Sequence, residues 1–530
     1  MNNLKELIRV QLKNLFFQSR GSKKGKKAGI GFMVLQMGLM VYLSVFYSLA
    51  LYSSLPPAQY YLGIYMMSAA GALMILIIGV PYAQGFLFGF KDFDFLMSLP
   101  VRKQDVVASK ITTFMILQYL YAGFFMIPAM IVYGNVSGQG AVFYLLMVLG
   151  FLSAPLVSIM ISALIGLLMK NISSRMKNQT LVSTILNILF MAAIFFFSFR
   201  MNSQSDPTRL LARTLPLIKV WMPQIYWYVS GCIDGSLLPV LASMAVSIGL
   251  FALFLYLSAP LVLKVSARSE QGYHVKNFRL HSERSQTLMR TLLKKEFGRL
   301  FSNTNYLMNM CFGIVMMIAV SVYALMNRSF LQVFLEQESF ADAARIIPGL
   351  ILLGIGFMGH STCTTGVSIS LEGKSFWILK TLPISIRQIF LSKGLVNFVI
   401  IIVPALFCLV LLGIAFAFPW QDFLIGFVYL VLLAAFVSMY GLFINLCFPK
   451  LDFDRDIVVI KQSMASFLSI IGSMIMGIVV FFSYLSILSR QTQPEGTAIL
   501  LILCGIYLFL DVLLYEYLEH EGAKTFRKLS

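Results

Sequence analysis

Charge is scarce in this chain of 530 residues: Asp, Glu, Lys and Arg together make up 12%, whereas 59% of the residues are hydrophobic. Soluble domains carry about 25% charged residues. The shortage excludes a soluble globular protein, and the 46 Phe and 30 Met residues fit helices that face lipid. We expect an all-α polytopic membrane protein.

The sequence also lacks the residue clusters that catalysis and metal binding need. Its six cysteines form no Cys-x-x-Cys pair and mostly lie in apolar runs, which is typical of small core residues rather than disulfides or metal ligands. Gly373-Lys374-Ser375 matches only the end of a phosphate-binding loop, because Ser368 stands where the first glycine is required. We predict no catalytic residue, no metal site and no cofactor in this chain.

A cleavable signal peptide is not expected, because the first apolar run begins near Gly29, is too long for a signal sequence and lacks a small-residue cleavage site. Apolar runs of about 20 residues, each long enough to cross about 30 Å of hydrocarbon as a helix, recur along the chain. The twelve predicted spans are 29–54, 61–90, 111–134, 141–169, 181–200, 236–263, 305–327, 346–370, 394–418, 423–448, 463–489 and 496–515.

Basic residues are few in alternate loops. With the N-terminus in the cytoplasm, 34 of the 41 Lys and Arg residues lie in inside loops and 7 in outside loops. Because basic loops favour the cytoplasmic side, we predict a multi-pass protein of the cell membrane with both termini in the cytoplasm. The net charge of +19 then reflects topology and attraction to anionic lipid of the bilayer, not a nucleic-acid partner.

Two polar stretches are related by a constant shift of 283 residues. Aligned without a gap, Lys91–Lys110 and Lys374–Lys393 share a Leu-Pro pair and a final Ser-Lys pair. At a shift of 281, Leu288–Arg299 also matches part of the basic amphipathic helix predicted in residues 1–28. We predict two tandem six-helix repeats, residues 1–280 and 281–530, each preceded by an amphipathic interfacial helix. Chance similarity of two loops is the alternative.

Each polar stretch lies between the second and third span of its repeat. A proline ends the preceding helix, and the residues behind it, such as Arg102-Lys103-Gln104-Asp105, can start a new amphipathic helix. We interpret both stretches as coupling elements, short helices in the membrane plane that an outside partner can push.

Four other segments allow more than one interpretation. The external aromatic segment 201–235 and the external acidic loop 327–345 either contact cargo or form packed lids. The inner segments 170–177 and 449–462 are predicted to be solvated docking surfaces, because an EF-hand would need a glycine and a final glutamate that they lack.

Polar groups inside the predicted spans are few. His360 lies in the eighth span and Asp511, the only acid within a span, in the twelfth. Intramembrane acids are functional candidates by default. The structural alternatives are that His360 is hydrogen-bonded to a neighbouring helix and that Asp511 reaches the membrane–water interface.

The first polar stretch reads L-P-V-R-K-x-D-V-V-x-S-K, and together with the lead-in helix and the six spans it resembles the permease subunits of bacterial ATP-binding-cassette exporters of the type-2 class. Phe448–Phe453 and Val459–Gln462 resemble the same class. The resemblance implies two half-permeases fused in one chain, driven by separate ATPase subunits, in two copies, that bind the ATP and Mg²⁺. The residues that it implies for ATPase coupling are Leu99, Pro100, Arg102, Lys103, Asp105, Lys110, Leu382, Pro383, Arg387 and Lys393.

Two competing classes make different demands on the sequence. A proton-coupled secondary transporter also often has twelve spans in two repeats, and it would use His360 and Asp511. A membrane enzyme would need clustered His, Glu or Asp in its spans, and the sequence has none. We therefore expect a permease rather than an enzyme.

Overall fold

The computed structural model describes residues 2–16, 23–88, 98, 100–176, 178–201, 207–271, 287–326, 343–453, 456–488 and 496–529. All regular secondary structure in these residues is helical. A chain this apolar forms helices because a membrane offers no water to bond free backbone groups, so each segment must satisfy its own.

The helices of the N-terminal half include one basic amphipathic helix, long apolar helices and two short ones. Their bounds are α1 Asn2–Phe16, α2 Lys23–Ser54, α3 Tyr60–Phe86, α4 Lys103–Val136, α5 Ala141–Phe151, α6 Leu156–Ser173, α7 Gln179–Met201, α8 Pro207–Trp221, α9 Pro223–Ile233 and α10 Leu237–Gln271.

The helices of the C-terminal half begin with a second amphipathic helix. Their bounds are α11 Leu288–Ser302, α12 Thr304–Met310, α13 Phe312–Met326, α14 Ala343–His360, α15 Thr365–Ser368, α16 Phe376–Thr381, α17 Ile386–Ala415, α18 Trp420–Cys447, α19 Asp456–Gln462, α20 Met464–Leu488, α21 Gly496–Tyr517 and α22 Ala523–Lys528.

Within the described residues, ten helical segments are long and apolar enough to cross a membrane, and two shorter apolar helices, Gln179–Ile194 and Phe312–Met326, accompany them. Each of the twelve predicted spans overlaps one of these segments. The prediction of an all-α polytopic membrane protein is confirmed.

The chain divides into two compact units. The first holds α1, α2 from Ile30 onward, α3 to α6, α7 up to Asn187, and α8 to α10. The second holds residues 23–29 of α2, residues 188–199 of α7 and everything from α11 onward. These units reflect packing alone, and the predicted repeats 1–280 and 281–530 stay a prediction.

Part of the aromatic segment after α7, the helix α9, is packed into the first unit, whereas Trp221 at the end of α8 is exposed. Tyr228 of α9 is fully buried, and its hydroxyl donates to the backbone oxygen of Met147 over 2.9 Å. Ile225 and Val229 are buried beside it. The geometry therefore fits the packed-lid alternative for α9. The other external segment, the acidic loop, cannot be compared in the same way, because its residues 327–342 lie outside the described residues.

Part of the inner segment 449–462 is also packed. Val458, Val459 and Ile460 are buried, and the Asp456 carboxylate accepts a hydrogen bond from Asn303 over 2.8 Å. The prediction of a solvated surface was wrong for Val458, Val459 and Ile460, whereas Asp456 is exposed. Val459 and Ile460 share a small core with α11 and α12.

Candidate functional site

The second coupling stretch folds into a short amphipathic helix, α16, followed by the Leu382-Pro383 turn. Phe376 and Leu379 face inward, and the Phe376 ring centroid lies 4.9 Å from that of Phe526 in α22. The opposite face is open: Trp377 is 63% exposed and Ile378 is 42% exposed. The helix therefore has one face anchored in the protein and one apolar face without cover in this unit.

The turn after α16 follows from its sequence. Proline disfavours a helical conformation in the residue before it, and Leu382 is extended with a ψ of 142°. The next helix, α17, starts with a capping box in which Ser385 and Gln388 each bond the backbone of the other. Leu382 is 42% exposed and Pro383 is exposed, so the apolar face of α16 continues onto the turn.

The prediction of a separate helix behind each proline was wrong for the described residues. Arg387 and Lys393 belong to the first turns of α17, which runs without a break to Ala415. Arg102 caps α4, and Asp105 lies in the first turn of that continuous helix. No turn residue separates the amphipathic start of either helix from its apolar continuation. The short helix of the second stretch instead precedes the proline.

A buried cluster of charges attaches this stretch to the rest of the second unit. The Lys393 ammonium donates to Glu296 and to Glu372, over 2.8 Å in each case, and to the Ser368 carbonyl over 3.0 Å. Lys393 is 2% exposed and Glu372 is 5% exposed. Three segments, the start of α17, α11 and the residues before α16, therefore meet at one buried ion cluster.

Two more cations of α11 complete the cluster. Lys295 donates a hydrogen bond to Glu372 over 2.9 Å, and Arg299 donates another to Glu372 over 2.6 Å. Burial alone lowers the pKa of the Arg299 guanidinium, but the bond and charge of Glu372 and the charge of Glu296 more than offset this, and the pKa lies above its ordinary value. Glu372 accepts from three cations, so its charge is compensated although it is buried.

The first unit has related contacts at the aligned positions. In α1, Gln11 donates to Ser109 over 2.9 Å and accepts from Thr113 over 3.0 Å. Lys110, aligned with Lys393, is buried with its ammonium 4.8 Å from the centroid of the Phe86 ring. In both units the amphipathic helix thus contacts the start of the helix that follows the coupling stretch.

Much of the first coupling stretch lies outside the described residues. Leu99 and residues 89–97 are not described, nor is the side chain of Lys103. Pro100 and Arg102 are exposed.

The eighth span is interrupted in its middle. Helix α14 ends at His360, residues 361–364 are not helical, and α15 begins at Thr365. Neighbouring helices bond the freed backbone: Thr364 donates its N–H to Asn397 over 2.7 Å and its carbonyl accepts from Tyr306 over 2.9 Å. Irregular backbone at membrane depth occurs only where protein or water supplies such partners.

A second asparagine, Asn445, is hydrogen-bonded to the backbone at the C-terminal end of the same span. The Asn445 carbonyl oxygen accepts from the N–H groups of Ile369 and Ser370, over 2.8 Å and 3.1 Å. The Asn445 amide also donates to the Ser370 hydroxyl over 2.7 Å. Asn445 is fully buried on α18, so its bonds fix the direction in which the chain leaves the membrane toward Glu372.

His360 lies at the interruption and is fully buried. Its ring nitrogens lie 2.8 Å from the hydroxyl of Ser473 and 2.8 Å from that of Tyr507. Gly477 leaves room for the ring, because a Cβ there would lie 2.7 Å from His360 Cδ2. The histidine therefore joins α14 to α20 and α21 by hydrogen bonds, which fits the alternative of a histidine bonded to neighbouring helices.

Asp511 lies one helical turn after Tyr507 on α21. It is 7% exposed, and neither carboxylate oxygen has a hydrogen-bond partner among the described residues. Tyr507 thus contacts His360, and Asp511 follows Tyr507 one turn later on the same helix.

Gly373, part of the incomplete phosphate-loop motif, has a structural role. Its φ is +52°, which favours glycine, and a Cβ there would lie 2.9 Å from Phe453. The glycine turns the chain between α15 and α16, so it directs Glu372 and the helix α16. The motif is thus explained without a nucleotide.

Several important residues were missed by reasoning from the sequence. Trp377 stands inside the coupling stretch, and its exposure could have been predicted from the spacing of Phe376 and Leu379 on one helix face. The acids Glu296 and Glu372 were counted only as loop charges. The two buried asparagines, Asn397 and Asn445, carry a signal that was available: each is a strong hydrogen-bonding side chain within an apolar run.

Residues 27–511 match a family described as "Membrane protein of 12 TMs". Comparison with curated proteins and comparison with solved structures give no significant match. The match spans nearly the whole chain and agrees with the helical segments of the structure. The chain belongs to this family of membrane proteins with twelve transmembrane segments.

Proposed function

We propose that this protein is the permease subunit of an ATP-driven exporter of the ATP-binding-cassette type-2 class, with two half-permeases in one chain. It lies in the cell membrane with both termini in the cytoplasm. Two copies of a soluble ATPase bind at the coupling stretches and carry the ATP and Mg²⁺. The chain is no enzyme itself, and it forms the pathway for the cargo.

The observation that carries the proposal is the exposed apolar face of α16 and its turn. Trp377, Ile378 and Leu382 are 63%, 42% and 42% exposed. A tryptophan beside aliphatic side chains is the composition of an interface anchor. Phe376 and Leu379, on the opposite face of α16, are buried against the protein. A partner that binds the exposed face can therefore move α16 together with the residues packed behind it.

Movement of α16 can reach the membrane through the buried ion cluster. Glu372 precedes α16 and is bound to Lys393 of α17 and to Arg299 of α11. Separating such buried charges leaves one of them unpaired at high cost, so the three segments shift together. The interrupted eighth span ends at residue 370, two residues before Glu372. We expect the closure of the ATPases to displace these helices as one body.

Exposed residues of α16 provide the test. Trp377→Asp and Leu382→Asp should each reduce ATPase co-purification at least tenfold, and Leu99→Asp should do the same if both coupling stretches bind. Trp420→Asp is the matched control, since Trp420 is 72% exposed at the opposite end of α17 and α18. Undiminished co-purification of all three coupling variants would refute the docking role.

The buried Asp511, one helical turn after the Tyr507 that contacts His360, favours a second candidate function, a proton-coupled secondary transporter. Such a transporter needs a titratable group inside the membrane, and the buried carboxylate of Asp511 is one. This candidate predicts proton flux through the chain alone, without any ATPase.

A further inference from the structure

A cleft of about 380 Å³ opens on the second unit beside the coupling turn. It lies between α17, α18, α21 and α22, and its volume falls in the range of about 300 to 1,000 Å³ that is usual for small-ligand sites. Along α17 the lining residues run from Arg387 at the end of the helix to Phe398. Arg387 and Phe398 are separated by eleven steps along the helix, which correspond to about 16 Å, close to half the thickness of the hydrocarbon layer.

The walls and the mouth of the cleft differ in chemistry. Leu391, Leu395 and Leu442 give apolar walls, and Leu391 and Leu395 are partly exposed, so the cleft is open along its side. The charged lining residues are Arg387, Glu519 and Arg527. The cleft therefore fits an amphipathic molecule with a long apolar part and a head at the end where both arginines lie.

The charges at the mouth favour an anionic head. Arg387 lies 3.6 Å from Glu519 and donates to the Tyr515 hydroxyl over 2.8 Å, which fixes the direction of its guanidinium. Glu519 thus compensates one of the two arginines, and one positive charge is left over. Arginine binds phosphate in a bidentate geometry better than any other side chain.

We propose that this cleft binds one chain of an anionic phospholipid, whose phosphate lies between Arg387 and Arg527. The walls of the cleft continue along the membrane-spanning helix α17 as far as Phe398. A soluble protein cannot reach that part of the cleft, because it would have to enter the membrane. The proposal rests on the orientation that places this end at the inner leaflet, but it needs no ATPase partner. It also gives Arg387 a partner in the membrane rather than in the ATPase.

Native mass spectrometry of the isolated full chain, titrated with equal amounts of phosphatidylglycerol and phosphatidylcholine, tests the proposal. We expect about a tenfold preference for phosphatidylglycerol. The double variant Arg387→Gln/Arg527→Gln should lose it, whereas Lys528→Gln, which changes an exposed neighbouring cation outside the cleft, should keep it.

A second variant separates the head from the chain of the lipid. Gly394 lines the cleft, and an added Cβ would meet only Leu442 at an ordinary 3.7 Å, so Gly394→Phe can fill the cleft. It should abolish lipid retention with both arginines present. Equal retention in all variants would overturn the proposal, as would displacement of the lipid by millimolar inorganic phosphate, which would indicate an anion site only.

Discussion

The ammonium group of Lys393 lies 2.8 Å from Glu372 Oε1 in the interior of the second unit. The contact joins the start of α17 to the residues that lead into α16. Both side chains are almost completely buried, so the pair is shielded from salt and water. The pair thereby adds a buried ionic contact to the apolar packing that holds the coupling stretch against the neighbouring helices.

Replacing Lys393 with methionine should strongly destabilise the protein. The change leaves Glu296 and Glu372 with one buried cation fewer, and breaking a buried pair in this way costs about 3–5 kcal/mol. Lys374→Met is the matched control, because Lys374 is exposed in the same stretch and its loss should cost less than about 0.5 kcal/mol. Denaturant titration in detergent micelles measures both. Equal stabilities of the two variants would contradict the structural role of the pair.

Asn445→Leu should destabilise the interrupted eighth span. The variant removes the acceptor of two backbone N–H groups, at a cost of about 1–3 kcal/mol for each buried donor left unpaired. Cys447→Leu, at an exposed position two residues along the same helix, is the control. Hydrogen exchange of residues 365–375 should rise in Asn445→Leu alone. Unchanged exchange there would mean that other groups hold the span.

Gly373→Ala and Gly298→Ala should have opposite effects on stability. At Gly373 the φ of +52° and the 2.9 Å approach of Phe453 make a Cβ unfavourable, by about 1–3 kcal/mol. Gly298 lies in the exposed face of α11 with no atom within 4 Å of an added Cβ, so alanine should stabilise that helix by about 1 kcal/mol. Unchanged or increased stability of Gly373→Ala would show that the turn at Gly373 is not as described, and a loss in Gly298→Ala would show that the exposed face of α11 is packed.

Asp511→Asn should leave proton permeability unchanged if the protein is driven by ATP. Proteoliposomes that contain the chain alone, with an imposed pH gradient and a pH-sensitive dye inside, should show the same slow leak for wild type and variant. Tyr507→Phe, which removes the hydroxyl 2.8 Å from His360, should also match wild type. A faster flux in wild type that both variants abolish would favour the proton-coupled alternative.

Apolar run length allowed the twelve spans to be predicted, because crossing a membrane needs little more than a long apolar helix. The coupling turn at Leu382-Pro383 was predictable for a similar local reason, since proline restricts its neighbours. The interruption after His360 was not predicted, because Asn397 and Asn445 that support it lie in other spans. The partners of Lys393 are likewise distant in sequence, so a charge count placed Lys393 in a loop although it is buried.

The most direct test of the central claim is a detergent pull-down of the tagged wild-type chain expressed with its genomic neighbours, followed by an ATPase assay of the material that co-purifies. The account predicts a soluble ATPase at two copies per chain, with ATP hydrolysis stimulated by the complex and lost on addition of the Trp377→Asp substitution. A chain that purifies alone and moves protons across a membrane without ATP would contradict it.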